Sequence, residues 1–263
     1  MTDLSRLVGA LSPDLLPPGR LVAPFEQPNR PVYWLSDAPA TAATWLALYT
    51  RRVETGLYPL LLAGTGRGAS RPWVDGEVWP LRNSAPEAHD PATLLAGWWA
   101  RHVPDDAGDM TMDTPYSRVW PGPAGTPTAD PGGEVDDPDT RAAGLVDQLV
   151  DDAKRLGLVA TSRGADTLAA TGWSGPANHT GDSGEIAAVV RSWEDRFGVR
   201  VVEVGFDTLY VSVATPPTTQ QHALHLAAEH FAFCPDIVLQ GGDSLETYAT
   251  HLVGAYSWAF WWD

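Results

Sequence analysis

The feature that most restricts the fold is the aromatic close of the chain, SWAFWWD over residues 257–263. With Tyr256 included the side chains alternate. Tyr256, Trp258, Phe260 and Trp262 fall on one face of an extended strand, Ser257, Ala259 and Trp261 on the other. So much aromatic area is not left in water, so this end of the chain is expected to be a packed strand with a sheet beside it and helices over it.

The partners of that strand can be sought upstream. Ile186, Val189, Val190, Trp193 and Phe197 form an apolar stripe at helical spacing. Asp182 and Glu185 have capping-box spacing ahead of it, and Gly198 supplies a stop. Residues 199–206 and 209–213 read as strands of a hairpin around Asp207 and Thr208. Pro216 and Pro217 end the second strand, and Thr218 with Gln221 opens a helix whose inner face is expected to be Leu224, Ala227, Ala228 and Phe231. A helix over 244–253 then leads to the terminal strand. The expected class is α+β: a two-layer mixed sheet with packed helices, in the C-terminal order helix-strand-strand-helix-helix-strand.

A smaller α/β unit is expected before it. Residues 31–35 (PVYWL) read as a strand, 40–54 as a helix ended by Gly56, and 57–63 (LYPLLLA) as a buried strand. Asp75-Gly76 suits a tight hairpin between 73–74 and 78–79, and residues 94–102 read as a helix. The Pro- and Gly-rich stretch 121–141 favours neither helix nor strand and reads as a linker between an N-terminal region, 1–120, and a C-terminal domain, 142–263. Residues 142–156 beyond it are expected to be helical and 158–161 a short strand.

Charge is segregated along the chain. The net charge is −16; residues 1–120 carry ten basic and thirteen acidic side chains, residues 121–263 seven and twenty, and no Lys or Arg follows Arg200. Nucleic acid and anionic membranes both require a cationic footprint, so neither is an expected partner. The negative charge reads first as a source of solubility, and a protein with a basic surface is the alternative it leaves open. The single cysteine, Cys234, excludes an internal disulfide and fits a reducing cytoplasm. The N-terminal residues lack the features of a secretory signal, and no run has the length of a membrane helix. Sixteen Arg against one Lys, with abundant Ala, Gly and Pro, point to a GC-rich bacterial genome.

Several motifs in fixed order, SWEDRFG (192–198), GFDTLYVSV (205–213), AAEHFAFCPD (227–236) and SWAFWWD (257–263), resemble the bacterial family known as domain of unknown function 4253. The likeness is close over 173–263 and weaker upstream, where RPVYWLSDAPA (30–40) and TGLYPLLLAG (55–64) resemble the region that often precedes this domain. It implies a soluble bacterial protein and supplies no catalytic residues.

Recognised reaction motifs are lacking. His222, His225 and Glu229 share one sector of a helix, as metal ligands would, but opposite its apolar face, and read as a solvated polar surface. Cys234 and His230 lie four residues apart, yet Cys234 falls at a helix C-terminus, where a thiolate is disfavoured. The turn GTGRG (64–68) follows a strand without the Lys-Ser/Thr ending of a phosphate loop. No metal or other cofactor is expected. The loop 173–183 ahead of a helix N-terminus is the place expected to bind a ligand, with Trp173, Asn178, His179, Asp182 and Ser183 as candidates and Glu229 and His230 as potential contributors. Two readings follow: an acidic interaction or regulatory module, and a small-molecule binder or enzyme built on that loop. The second requires His179, Glu229 and His230 to converge.

Overall fold

The computed structural model describes residues 3–65, 70–103, 116, 119–127 and 136–263. Strands β1 (Gly19–Val22), β2 (Tyr33–Pro39), β3 (Tyr58–Leu62), β4 (Arg155–Val159), β5 (Arg200–Val204), β6 (Thr208–Ser212) and β7 (Ser257–Trp261) form one seven-stranded sheet. Its order is β1-β2-β4-β3-β5-β6-β7. Only β3 and β5 run parallel; all other neighbours are antiparallel, which makes the sheet mixed and the class α+β. The unbroken apolar run of β3 lies at the centre, where every one of its residues is buried.

Around the sheet are α1 (Leu4–Gly9), α2 (Ala42–Tyr49), α3 (Arg52–Thr55), α4 (Pro91–His102), α5 (Pro138–Leu149), α6 (Asp166–Thr171), α7 (Ser183–Phe197), α8 (Gln220–Phe233), α9 (Asp236–Leu239) and α10 (Leu245–Leu252). The expected C-terminal order holds, with the short α9 added. The two faces of the sheet are covered differently. On one, α5 lies over β5 and β6, and its Asp139 pairs with Arg200. On the other, Trp193 of α7 and Phe233 of α8 pack against Phe260, and Trp258 and Trp262 are buried beside it.

Several sequence expectations need correction. The stretch 121–141 does not divide the sheet: β4, which follows it, is inserted between β2 and β3, which precede it. Local Pro and Gly content bears on helix and strand propagation, not on long-range pairing. Within the stretch, α5 already starts at Pro138, with Asp137 capping the Thr140 N–H at 2.9 Å. The helix stops at Leu149, so Leu156 belongs to β4 and the strand expected at 158–161 lies over Arg155–Val159. The helix expected over 40–54 is broken: Arg51 N–H bonds to Leu48 O and the Thr50 hydroxyl to Leu46 O, which tightens the chain between α2 and α3. No strands flank Asp75-Gly76. Gly76 does take a left-handed φ of 68°, but the segments beside it bond to other parts of the fold. The Trp73 indole donates to Ala63 O and Val204 O, and Trp79 N–H donates to Gly172 O.

The largest departure concerns α8. The sequence shows one apolar stripe, whereas every residue from Leu226 to Phe233 is buried. A second layer causes this: α4 and α10 pack on α8, and residues 120–127 cross it. Glu229 therefore lies inside the protein. His222 and His225 are half-buried, the first bonded through Nε2 to Gly125 O at 2.8 Å, the second stacked on Tyr116.

Gly172 brings the end of α6 against Trp79 and Pro80. It ends α6 at φ 77°, and a Cβ there would come within 2.1 Å of Pro80 N and 2.4 Å of the Trp79 carbonyl carbon. Gly172→Ala is expected to cost at least about 2 kcal/mol, because a strained φ is combined with a backbone clash. Gly97→Ala, in the middle of α4 with nothing near its Cβ position, should instead stabilise by up to about 1 kcal/mol. Urea unfolding of the two variants checks the contrast.

Candidate functional site

The loop 173–183 is tied down by its own polar groups. Trp173 is buried; its indole N–H is shared between Gly205 O at 2.9 Å and Phe206 O at 3.2 Å, and its ring packs edge-on to Trp262. Asn178 is exposed and donates to Asp263 O at 2.5 Å, which ties the loop to a residue two positions beyond β7. Asp182 caps α7 through Gly184 N–H at 2.8 Å and also accepts from Ser84 N–H at 3.0 Å and from the Ser84 hydroxyl at 2.6 Å. Ser183 is buried and bonded within the protein: its N–H donates to Asn83 Oδ1 at 3.0 Å and its hydroxyl to Trp173 O. Capping thus occupies the N-terminus of α7 that an anion would need.

His179 has a different setting. It is buried between Trp98, 4.6 Å away between centroids, and His102, on which it stacks at 5.5 Å. Neither ring nitrogen has a hydrogen-bond partner among the described residues. Burial, with the charge of Arg101 nearby and the second imidazole, pushes its pKa down to about 3. His102 is lowered in the same direction, chiefly by burial.

Glu229 and His230 belong to another cluster. The Glu229 carboxylate accepts both arms of Arg196, at 2.7 and 2.6 Å, the Trp193 indole N–H at 2.8 Å and Ala124 N–H at 2.6 Å. His230 bonds through Nδ1 to the Tyr248 hydroxyl at 2.9 Å and is enclosed by Trp193, Trp258 and Phe260. Burial holds it well below the ordinary imidazole range. Glu229 and His230 share Trp193, but neither has a partner in common with His179, whose neighbours belong to α4. Among the described residues no hydrogen bond, ion pair or ring contact joins His179 directly to Glu229 or His230. Cys234 is also buried; burial raises its thiol to about 12, and it donates to Trp261 O at 2.9 Å.

Two depressions lie beside the loop and α7. One of about 250 Å³ lies against the loop and is lined by Trp79, Arg82, Asn83, Trp173, Ser174 and Thr180 among others. Its Asn83 and Thr180 side chains are engaged within the protein, by Ala169 O and Ser183 N–H and by Glu185. A groove of about 340 Å³ beside α7 carries Arg163, Arg191 and Arg196, each ion-paired to at least one carboxylate. Among the described residues no His, Cys, Asp and Glu group is arranged to hold a metal, and no helix is long and apolar enough to cross a membrane. Residues 66–69, which include most of the Gly64–68 turn, lie outside the described residues.

Sequence reasoning missed the Glu229–Arg196 pair. The signal was present: a carboxylate within AAEHFAF, a run with no polar face left over, has to be buried and paired. It also missed the exposed side of β7. There Ser257, Ala259 and Trp261 face solvent while Trp258 and Phe260 are buried, and α5 reaches β5 and β6.

Residues 155–263 match the family described as domain of unknown function (DUF4253), which covers β4 through β7 and includes all seven candidate residues. Neither the curated proteins nor the solved structures give a match.

Two outcomes are expected. Glu229→Gln leaves the Arg196 guanidinium buried without a counter-charge and should cost about 3–5 kcal/mol, and the double variant with Arg196→Met should recover part of that loss in the same denaturant titration. His179 takes up its proton near 6.5 when unfolded but near about 3 when folded, so between those values the unfolded chain binds more protons. Its contribution is complete above pH 6.5 and is lost on acidification at up to about 1.4 kcal/mol per pH unit. Replacing it by Phe, which keeps the ring contact, should flatten the stability profile over that window.

Proposed function

We propose that the chain is an acidic interaction module whose partner is a protein with a basic surface. The observation that supports this reading is the charge of its C-terminal part. Beyond Arg200 there is no Lys or Arg, while Glu246 and Asp263 are exposed and Asp207, Asp236 and Asp243 are half-buried. Of the remaining carboxylates in that part, Glu229 is neutralised inside by Arg196 and Glu203 by Lys154 at 2.7 Å, so the surface keeps its negative sign. Such a field draws a cationic partner in and repels nucleic acid and anionic lipid. The small-molecule reading is less well supported: the loop 173–183 has its polar groups bonded internally, and His179 is remote in partners from Glu229 and His230.

The test is capture of a partner on the full chain, followed by reconstitution of the purified pair. The complex should weaken steeply as salt rises, and reversing Asp207, Asp236 and Asp263 to Lys together should abolish it. A complex indifferent to salt and to that triple reversal contradicts the proposal, as does a chain that takes no basic partner but is thermally stabilised by a metabolite.

A further inference from the structure

The edge of the sheet at β7 tells how such a partner would dock. Trp262 N–H donates to Asp207 O and Val213 N–H donates to Tyr256 O. These two bonds lie in the same register and fix the parity of the ladder. Residues 256, 258, 260 and 262 direct their backbone groups toward β6, and Ser257, Ala259 and Trp261 direct theirs away from it. β7 is the last strand in the order, so among the described residues that outward row has no strand beside it. The Cys234 thiol takes Trp261 O; among the described residues nothing takes the N–H and C=O of Ser257 and Ala259. The edge is covered in part, since α9 packs on β7, but along Ser257 and Ala259 the strand has no Pro, no Lys and no bulge in its pairing with β6.

The side chains around the edge are suited to a cationic visitor. Trp261 and Tyr256 are exposed. Tyr256 already carries the Arg141 guanidinium over its ring, 3.4 Å from the centroid, so this surface holds a cation within the protein itself. At the other end of the strand lie Asp207, Asp263 and Asp236, the last accepting Asp263 N–H at 3.2 Å.

We infer that β7 receives an extended segment of the partner, carrying Lys or Arg, as an additional strand of the sheet. This inference rests on the basic-partner reading and supplies its mode: backbone bonds to Ser257 and Ala259 give the pairing, and cations facing Asp207, Asp236 and Asp263 give the selectivity. A second copy of this chain would bring another net charge of −16 against the same edge, which disfavours it as the occupant.

The test uses the full chain and three short peptides: one alternating Lys with Val, one alternating Lys with Pro at equal charge, and one alternating Glu with Val. Because the Ala259 N–H points away from β6, Ala259→Pro removes an outward donor without breaking a ladder bond. The Lys-Val peptide should bind, and both the proline peptide and the Ala259→Pro variant should weaken binding by about tenfold or more in fluorescence anisotropy. In the unaltered, isotope-labelled chain the amide signals of Ser257, Ala259 and Trp261 should shift most on adding the Lys-Val peptide, a readout that does not require the variant to fold. If both cationic peptides bind alike and Ala259→Pro changes nothing, strand addition is overturned while the basic-partner reading stands. If neither cationic peptide binds, or the Glu-Val peptide binds as well, both fall. A dimer in sedimentation that Ala259→Pro dissolves overturns the inference by placing a second copy on the edge.

Discussion

Trp193 is the side chain on which most of the structure converges. It is fully buried, stacked parallel on Phe260 at 5.3 Å, edge-on to Phe233 and Trp258, and its indole N–H is satisfied by Glu229. One residue thereby fastens α7 to α8 and both helices to β7. Its polar atom also orients a carboxylate that would be too costly to bury alone, and Arg196, one turn further along the same helix, completes the neutralisation. The same carboxylate fixes residues 120–127 across α8 through Ala124 N–H, and Arg196 donates to Ala124 O. Apolar packing and a buried ion pair thus act at one point, and the position of β7 follows from it.

That arrangement commits β7 asymmetrically. Its Trp258 and Phe260 are needed by the core, while Ala259 and Trp261 are not, because α5 on the opposite face reaches β5 and β6. The strand is therefore held firmly on one side and open on the other. Rigidity of this kind suits recognition, since little ordering cost remains when a partner binds. The same buried packing encloses His179 and His230 in aromatic rings and holds both imidazoles neutral.

The alternation of the terminal strand, the stripe of α7 with its Asp182 cap and Gly198 stop, and the β5–β6 hairpin could all be read from residue order, because each depends on neighbours close in sequence. The surroundings of α8 could not. Burial of its second face depends on α4, α10 and residues 120–127, which are distant in sequence, and a helical wheel carries no trace of them. The insertion of β4 between β2 and β3 is of the same kind, since Leu156 and Leu158 are equally compatible with any buried strand position. Of the candidate residues, Asp182 was correctly seen as a cap. His179 and Glu229 look alike in sequence as polar residues near helices, yet one is stranded among rings and the other fully paired.

β7 is thus closed toward β6 and open at Ser257 and Ala259 on its outer edge. Residue-resolved amide hydrogen exchange on the free chain addresses this openness most directly. Slow exchange is expected at Trp258, Phe260 and Trp262, and markedly faster exchange at Ser257 and Ala259. Uniformly slow exchange along the strand would mean that the outer edge is already covered, and would contradict it.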